Sequence, residues 1–221
     1  MAAIPPAPVA SSSGEDIRLV AKGSTESIAI PLVRSRAIAR ATAGDRRRER
    51  RWIKAAQAGS EAALEELYRR HWPWAHRAAY LVVHDAAAAE DIAQEAFLAA
   101  VRALDRFDRR RPFGPWLNRI VVNRAIDWAR ARALRREAVV DPDLEPGMLD
   151  APTSTDPYSD ATMRALAALA PEQRAVVVLR YLLEHTPGEI AAMLELPRGT
   201  VNSRLRRALD QLGAQLEEER P

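Results

Sequence analysis

Over most of the chain, apolar positions recur at the spacing of helices rather than strands. From about Asp45 to Arg136 the pattern is helical, and Gly59-Ser60 breaks a first helix from a second that runs through LEELYRRHWPWAHRAAYLVV, with a bend expected near Pro73. In AEDIAQEAFLAAVRALDRF the residues Ala93, Ala96, Phe97, Ala100 and Leu104 share one side. Asp91, Gln94, Glu95, Leu98 and Arg102 share the other. A further helix is predicted from about Pro115, which fits a first turn, with Trp116, Leu117, Ile120 and Val121 directed to the core. Helical spacing resumes from Ala161 to about Glu219. No period-two run and no repeat of constant period stands out.

Near the C-terminus the pattern acquires punctuation. In Thr186-Pro187-Gly188-Glu189 the threonine can cap a helix, proline fits the first helical position, and the glutamate three residues on completes a capping box. Ile190, Ala191 and Leu194 form the apolar face of that helix. Leu196-Pro197-Arg198-Gly199 breaks it, and a second helix is expected from Thr200, with Val201, Leu205, Ala208 and Leu212 inward. Two short helices joined by a tight turn make a helix-turn-helix. With that inward face fixed, Asn202, Ser203, Arg206 and Arg207 point outward. These residue types suit base edges: arginine pairs bidentately with guanine, asparagine with adenine, and serine is permissive. Arg198 and Arg204, at the start and side of the helix, suit phosphates. The plainer alternative is a helical hairpin with a solvated charged face.

Charge changes the picture once the chain is divided. Arg102 to Arg136 holds eleven arginines against Asp105, Asp108 and Asp127, whereas Glu137 to Asp160 has seven acids, four prolines and no base. Arg198 to Arg207 has four arginines and no acid. Two basic zones separated by an acidic, proline-rich stretch suggest two contacts with one polyanion. The chain therefore reads as a disordered or weakly ordered Ala-, Pro-, Ser- and Gly-rich extension (1–44), a helical domain (45–136), an acidic linker (137–160) and a helix-turn-helix domain (161–221). The expected fold class is all-α, two small helical domains joined by a flexible linker.

Other chemistry is thinly represented. There is no run of roughly 18 apolar residues and no secretory signal pattern, so a soluble cytoplasmic protein is expected. With no cysteine, and with His71, His76, His84 and His185 lacking ligand spacing, no metal or cofactor is expected. Glu90, Asp91 and Glu95 have no histidine or further carboxylate set against them. No Ser-His-Asp order, phosphate-binding glycine loop or paired acid and base indicates an enzyme. Leu98 is an apolar residue on a mixed-charge face, either part of a protein interface or a lone exposed leucine. Asn123 and Asp127 continue the line of Trp116 and Ile120, so either they are buried with partners or the line emerges there as a polar groove.

In order along the chain, AEDIAQEAFLAAVRALDRFD, PFGPWLNRIVVNRAIDWARAR, LAPEQRAVVVLRY and EIAAMLELPRGTVNSRLRRAL make the sequence resemble the extracytoplasmic-function group of bacterial sigma factors. The resemblance covers roughly Trp52 to Arg136 and Leu166 to Leu212. It implies a factor that binds core RNA polymerase, directs it to promoters and answers to an anti-sigma factor. By position, Asp91, Gln94, Glu95, Leu98 and Arg102 would meet the polymerase clamp. Phe107, Arg109, Arg110 and Arg111 would lie in the loop that captures an unpaired base of the minus-ten element, with Arg119, Asn123 and Asp127 on the adjoining helix. Arg198, Thr200, Asn202, Ser203, Arg204, Arg206 and Arg207 would serve the minus-thirty-five element, and the acidic linker would thread toward the RNA exit channel. Asn202 stands where the family commonly has a basic residue, and the Arg109–Arg111 run is unusually basic. The alternative is a dimeric helix-turn-helix regulator with a helical sensing domain, which would bind duplex operators.

Overall fold

The first helix, α1 (Ala43–Gln57), ends because Gly59 adopts a φ of 89° that side-chain-bearing residues rarely take. The turn is closed by Gly59 N–H to the Ala56 carbonyl and Ser60 N–H to that of Ala55. Ser60 then caps α2 (Glu61–Val83) by accepting from the Ala63 N–H. In this computed structural model the described residues are 17–20, 27–30, 43–138 and 160–218, with side chains described within 44–135 and 161–216. Pro73 does not interrupt α2, whose Leu67, Ala75, Ala78 and Ala79 are buried on either side of it. At the far end His84 turns left-handed (φ 53°), and Asp85 caps α3 (Ala86–Ala103) through the Ala88 N–H.

A 3-10 turn (Leu104–Arg106) and a short loop lead into α4 (Phe113–Ala138). Helices α2, α3 and α4 pack on one another, with Leu81, Val82, Ala93, Ala96, Phe97, Leu117, Val121 and Val122 buried among them. The C-terminal set comprises α5 (Asp160–Ala168), α6 (Pro171–Val177) running into a π-helical turn (Val178–Leu182), α7 (Pro187–Leu194) and α8 (Arg198–Glu218). Of the stretch expected as an acidic linker, residues 139–159 lie outside the described residues; α4 extends to Ala138 and α5 begins at Asp160.

Two observations add to the sequence reading. Within the N-terminal extension, β1 (Ile17–Val20) and β2 (Ser27–Ile30) pair antiparallel with Ile17 opposite Ile30 and Val20 opposite Ser27. Four-residue strands are too short for an alternating pattern to stand out. In addition, α6 and α7 pack against α4, and α5 and α6 against α2, so the two helical domains are in contact.

Candidate nucleic-acid interface

The helix-turn-helix is built as its punctuation indicates. Thr186 accepts from the Glu189 N–H, while the Glu189 carboxylate accepts from the Thr186 N–H at 2.7 Å. These backbone and side-chain bonds to Thr186 hold the Glu189 carboxyl below its usual range. Glu195 closes α7 in a left-handed conformation, with the Leu196 N–H reaching the Ala191 carbonyl. The second helix starts at Arg198, two residues earlier than expected. Its first turn is closed by the Pro197 carbonyl, which accepts from the N–H groups of Thr200 and Val201.

Val201, Leu205, Ala208 and Leu212 are buried, while Arg198, Ser203, Arg206 and Arg207 are exposed and Thr200, Asn202 and Arg204 half-buried. Ser203 donates its hydroxyl hydrogen to the Thr200 carbonyl at 2.9 Å, so in this rotamer it meets a base edge as an acceptor.

The second basic zone is a loop held from below. Asp108 forms an Asx turn, accepting from the Arg110 N–H through its side chain and from the Arg111 N–H through its carbonyl. Arg109, Arg110 and Arg111 are thereby left exposed. Phe107 is placed differently from the expectation that it faces DNA. It is only 7% exposed, with its ring 4.6 Å from Trp116 and 5.7 Å from Phe113. In a chain with three phenylalanines, this cluster returns more free energy by excluding water than by presenting a ring to it. Phe107 anchors the loop and the arginines form its outer surface. Trp116 and Trp128 are partly buried against the core, the latter under the Arg132 guanidinium.

On α4, Arg119 and Asn123 are half-buried and Asp127 is exposed, so the polar line does emerge from the core. Asp127 lies 3.7 Å from Arg130, which also reaches Glu172 of α6 at 2.6 Å. Arg119 pairs with Glu195, and the Asn118 amide lies 3.5 Å from His185. The C-terminal domain thus rests on this side of α4.

Asp91, Gln94, Glu95, Leu98 and Arg102 are all exposed on α3. Glu95 is engaged by Arg124 at 2.6 Å and Gln94 by Glu90 at 3.2 Å. Leu98, 55% exposed, has apolar company in Val101, 44% exposed one turn on; Tyr68 of α2, 42% exposed, lies with its ring tilted against that of Phe97 at 5.0 Å. Val101 could have been found from its spacing to Leu98. Tyr68 could not, because only packing brings α2 alongside α3. Among the described residues no group of three or more histidines or carboxylates could hold a metal, and no helix is long and apolar enough to cross a membrane.

Two exposed basic surfaces, one on a helix-turn-helix and one on a loop before a helix, define a DNA-binding transcription protein made of two helical domains. The description of Sigma-70 region 2 matches residues 67–135, and that of Sigma-70 region 4 matches residues 159–212. An RNA polymerase sigma-E factor of Streptomyces avermitilis is 35% identical over 72% of this chain and 88% of its own length. The extracytoplasmic-function sigma factor SigW of Bacillus subtilis is 31% identical over 74% of this chain and 94% of its own. A solved structure of CnrH in complex with the cytosolic domain of CnrY superposes with a TM-score of 0.58 at 28% identity, covering 78% of this chain and 99% of that one. The chain belongs to the extracytoplasmic-function sigma factors of the sigma-70 family. It is a factor for promoter-directed transcription initiation by RNA polymerase.

Proposed function

We propose that the exposed Arg109–Arg111 loop and the outer face of α8 are the two promoter contacts, to the minus-ten and minus-thirty-five elements respectively. The observation that carries this reading is that both surfaces are bare and basic while their apolar sides are locked into the core. Opening about ten base pairs at a mean of about 1.4 kcal/mol per step requires on the order of 14 kcal/mol. A captured base returns about 1–3 kcal/mol. The factor therefore selects and holds melted DNA, acting in the cytoplasm with no catalytic group of its own, while core polymerase supplies the remaining contacts.

Glu195 of the C-terminal domain occupies Arg119, which is assigned to the minus-ten contact, so the C-terminal domain leaves α4 when that contact forms. The ion pairs Arg119–Glu195 and Arg130–Glu172 then give way to phosphates. Exposed pairs of this kind contribute only about 0–1 kcal/mol each, so they oppose that exchange weakly. An anti-sigma protein is the natural regulator of such a factor; the sigma factor RpoE of Bartonella quintana, which shares this fold, was solved in complex with the anti-sigma factor NepR.

Run-off transcription with purified core polymerase on genomic fragments tests the whole reading. Promoter-dependent starts are expected, and none on any template would favour the dimeric regulator. Arg207→Ala should lower discrimination at one upstream base by about 1–3 kcal/mol; an equal loss on every sequence would make Arg207 a phosphate contact. For the polymerase face, Leu98→Glu should weaken core binding about tenfold while far-UV circular dichroism stays unchanged, because a charge enters the exposed apolar pair Leu98 and Val101. Unaltered affinity in a pull-down titration would return Leu98 to ordinary surface.

A further inference from the structure

Helix α1 precedes the matched Sigma-70 regions and carries a concentration of charge that the two promoter contacts do not use. Arg46, Arg47, Arg48, Arg50, Arg51 and Lys54 are all exposed, and none has a carboxylate partner among the described residues. By contrast, Arg69, Arg119, Arg124, Arg130 and Arg132 of this domain each meet an acid. The helix's own Glu49 points inward, to His71 at 2.9 Å and to the backbone of Phe113. Inward too are the buried Ile53 and Ala56. At about 100° per residue, Arg47, Arg51 and Lys54 fall within about 60° of one another on the opposite side, with Arg50 beside them.

This strip is fixed to the capture loop at both ends of that loop. The Gln57 side-chain amide donates to the carbonyls of Leu104 (2.9 Å) and Phe107 (3.1 Å), where the loop begins. Glu49 holds Phe113, where it ends. Lys54 and Arg50 lie one and two turns before Gln57 on that side of the helix. The distance from Arg47 to Lys54 is about 10 Å along the axis, so the strip can lie along more than one phosphate of a strand.

We propose that α1 is a phosphate-binding strip that holds the backbone of the melted non-template strand beside the captured base. It contributes affinity and no sequence preference, because point charges on long side chains meet phosphates rather than base edges. The inference rests on the reading of Arg109–Arg111 as the melted-strand contact.

The test uses saturated holoenzyme and a promoter fragment, taken from induced 5′ ends, whose minus-ten region is held open by mismatches. Neutralising Arg47, Arg51 and Lys54 together (each to Gln, a good helix former) should flatten the plot of log Kd against log salt by about 2, at about 0.7 per phosphate on a single strand. Lys54→Gln alone should flatten it by about 0.7, and Arg47→Lys with Arg51→Lys should leave it as in the parent. An unchanged slope in the triple variant overturns the proposal, whether core affinity is retained or falls; in the latter case the strip belongs to a protein partner. A parallel variant with Arg109, Arg110 and Arg111 changed to Gln keeps the two readings apart. If it binds the pre-opened fragment with the parent's affinity and salt slope, the loop assignment fails, whereas a defect there beside a silent α1 removes only the strip.

Discussion

Replacing Arg174 by alanine is expected to destabilise the protein by about 3–5 kcal/mol. The residue is 8% exposed, and its guanidinium spans two domains. One nitrogen donates to the Val82 carbonyl at the end of α2 and lies 3.1 Å from His84 Nδ1; the other donates to the carbonyls of Ala167 and Leu169 at the end of α5. Hydrogen bonds from a charged donor contribute about 1.5–3 kcal/mol each but do not add fully, and losing one leaves a buried acceptor without a partner. The cation also sits favourably at two helix C-termini, where carbonyls otherwise lack donors. Burial lowers its pKa to about 10, which leaves it charged at neutral pH. At about 2–4 °C per kcal/mol for two packed domains of this combined size, a loss of 3 kcal/mol lowers the melting temperature by roughly 6–12 °C. Thermal melts followed by circular dichroism read this directly, and a shift of only a few degrees would show the carbonyls to be satisfied otherwise.

Acid should loosen the same junction. Burial, and then the Arg174 charge, push the His84 pKa down to about 3, with the Met163 backbone pulling the other way; its Nε2 is buried without a partner. An unfolded histidine titrates near 6.5, so between about 6.5 and 3 the unfolded chain binds a proton that the folded chain does not. The stability this group contributes is therefore complete above about pH 6.5 and lost as the pH falls. By pH 5 the loss is on the order of 2 kcal/mol, from about 1.5 pH units at 1.36 kcal/mol each. His185, lowered by burial against the opposing pull of Glu189, acts in the same direction. Glu49, Glu172 and Glu189, all held below their ordinary value near 4.5, act only at lower pH. His84→Asn should flatten the limb between pH 6.5 and 4.5 by one proton, since asparagine tolerates the φ of 53° and its oxygen can accept from Arg174. Urea titrations across this range give the slope; an unchanged limb would assign the acid sensitivity elsewhere. Because Arg174 contributes to the depression, its removal should also move His84 back toward 6.5.

Much of this molecule was legible because its signals are local. The Thr186–Glu189 box, the break at Leu196–Pro197 and the spacing of Val201, Leu205, Ala208 and Leu212 each act within a few residues, and each leads to the structure observed. The buried and exposed sides of α3 follow from periodicity alone. Phe107 was not legible in this way. A loop phenylalanine among arginines can face a base or a core, and only the arrival of Phe113 and Trp116 on another helix decides the matter. The early start of α8 has a local cause, since the Pro197 carbonyl supplies the first turn's acceptor.

Long-range pairs were beyond sequence reasoning for a different reason. Arg174 reads as one more arginine early in a helix, and nothing within a few residues marks Val82, His84 or the end of α5 as its partners. Glu95 belongs to a surface face by periodicity, yet Arg124 reaches it from α4. The sequence by itself determined the helices, their caps, the inward faces and the division into two basic zones, because periodicity, capping and charge are short-range properties of the chain. The tertiary structure alone decided which aromatic is covered, which arginines find an acid and which remain bare, because those outcomes depend on helices far apart in sequence coming within hydrogen-bonding distance.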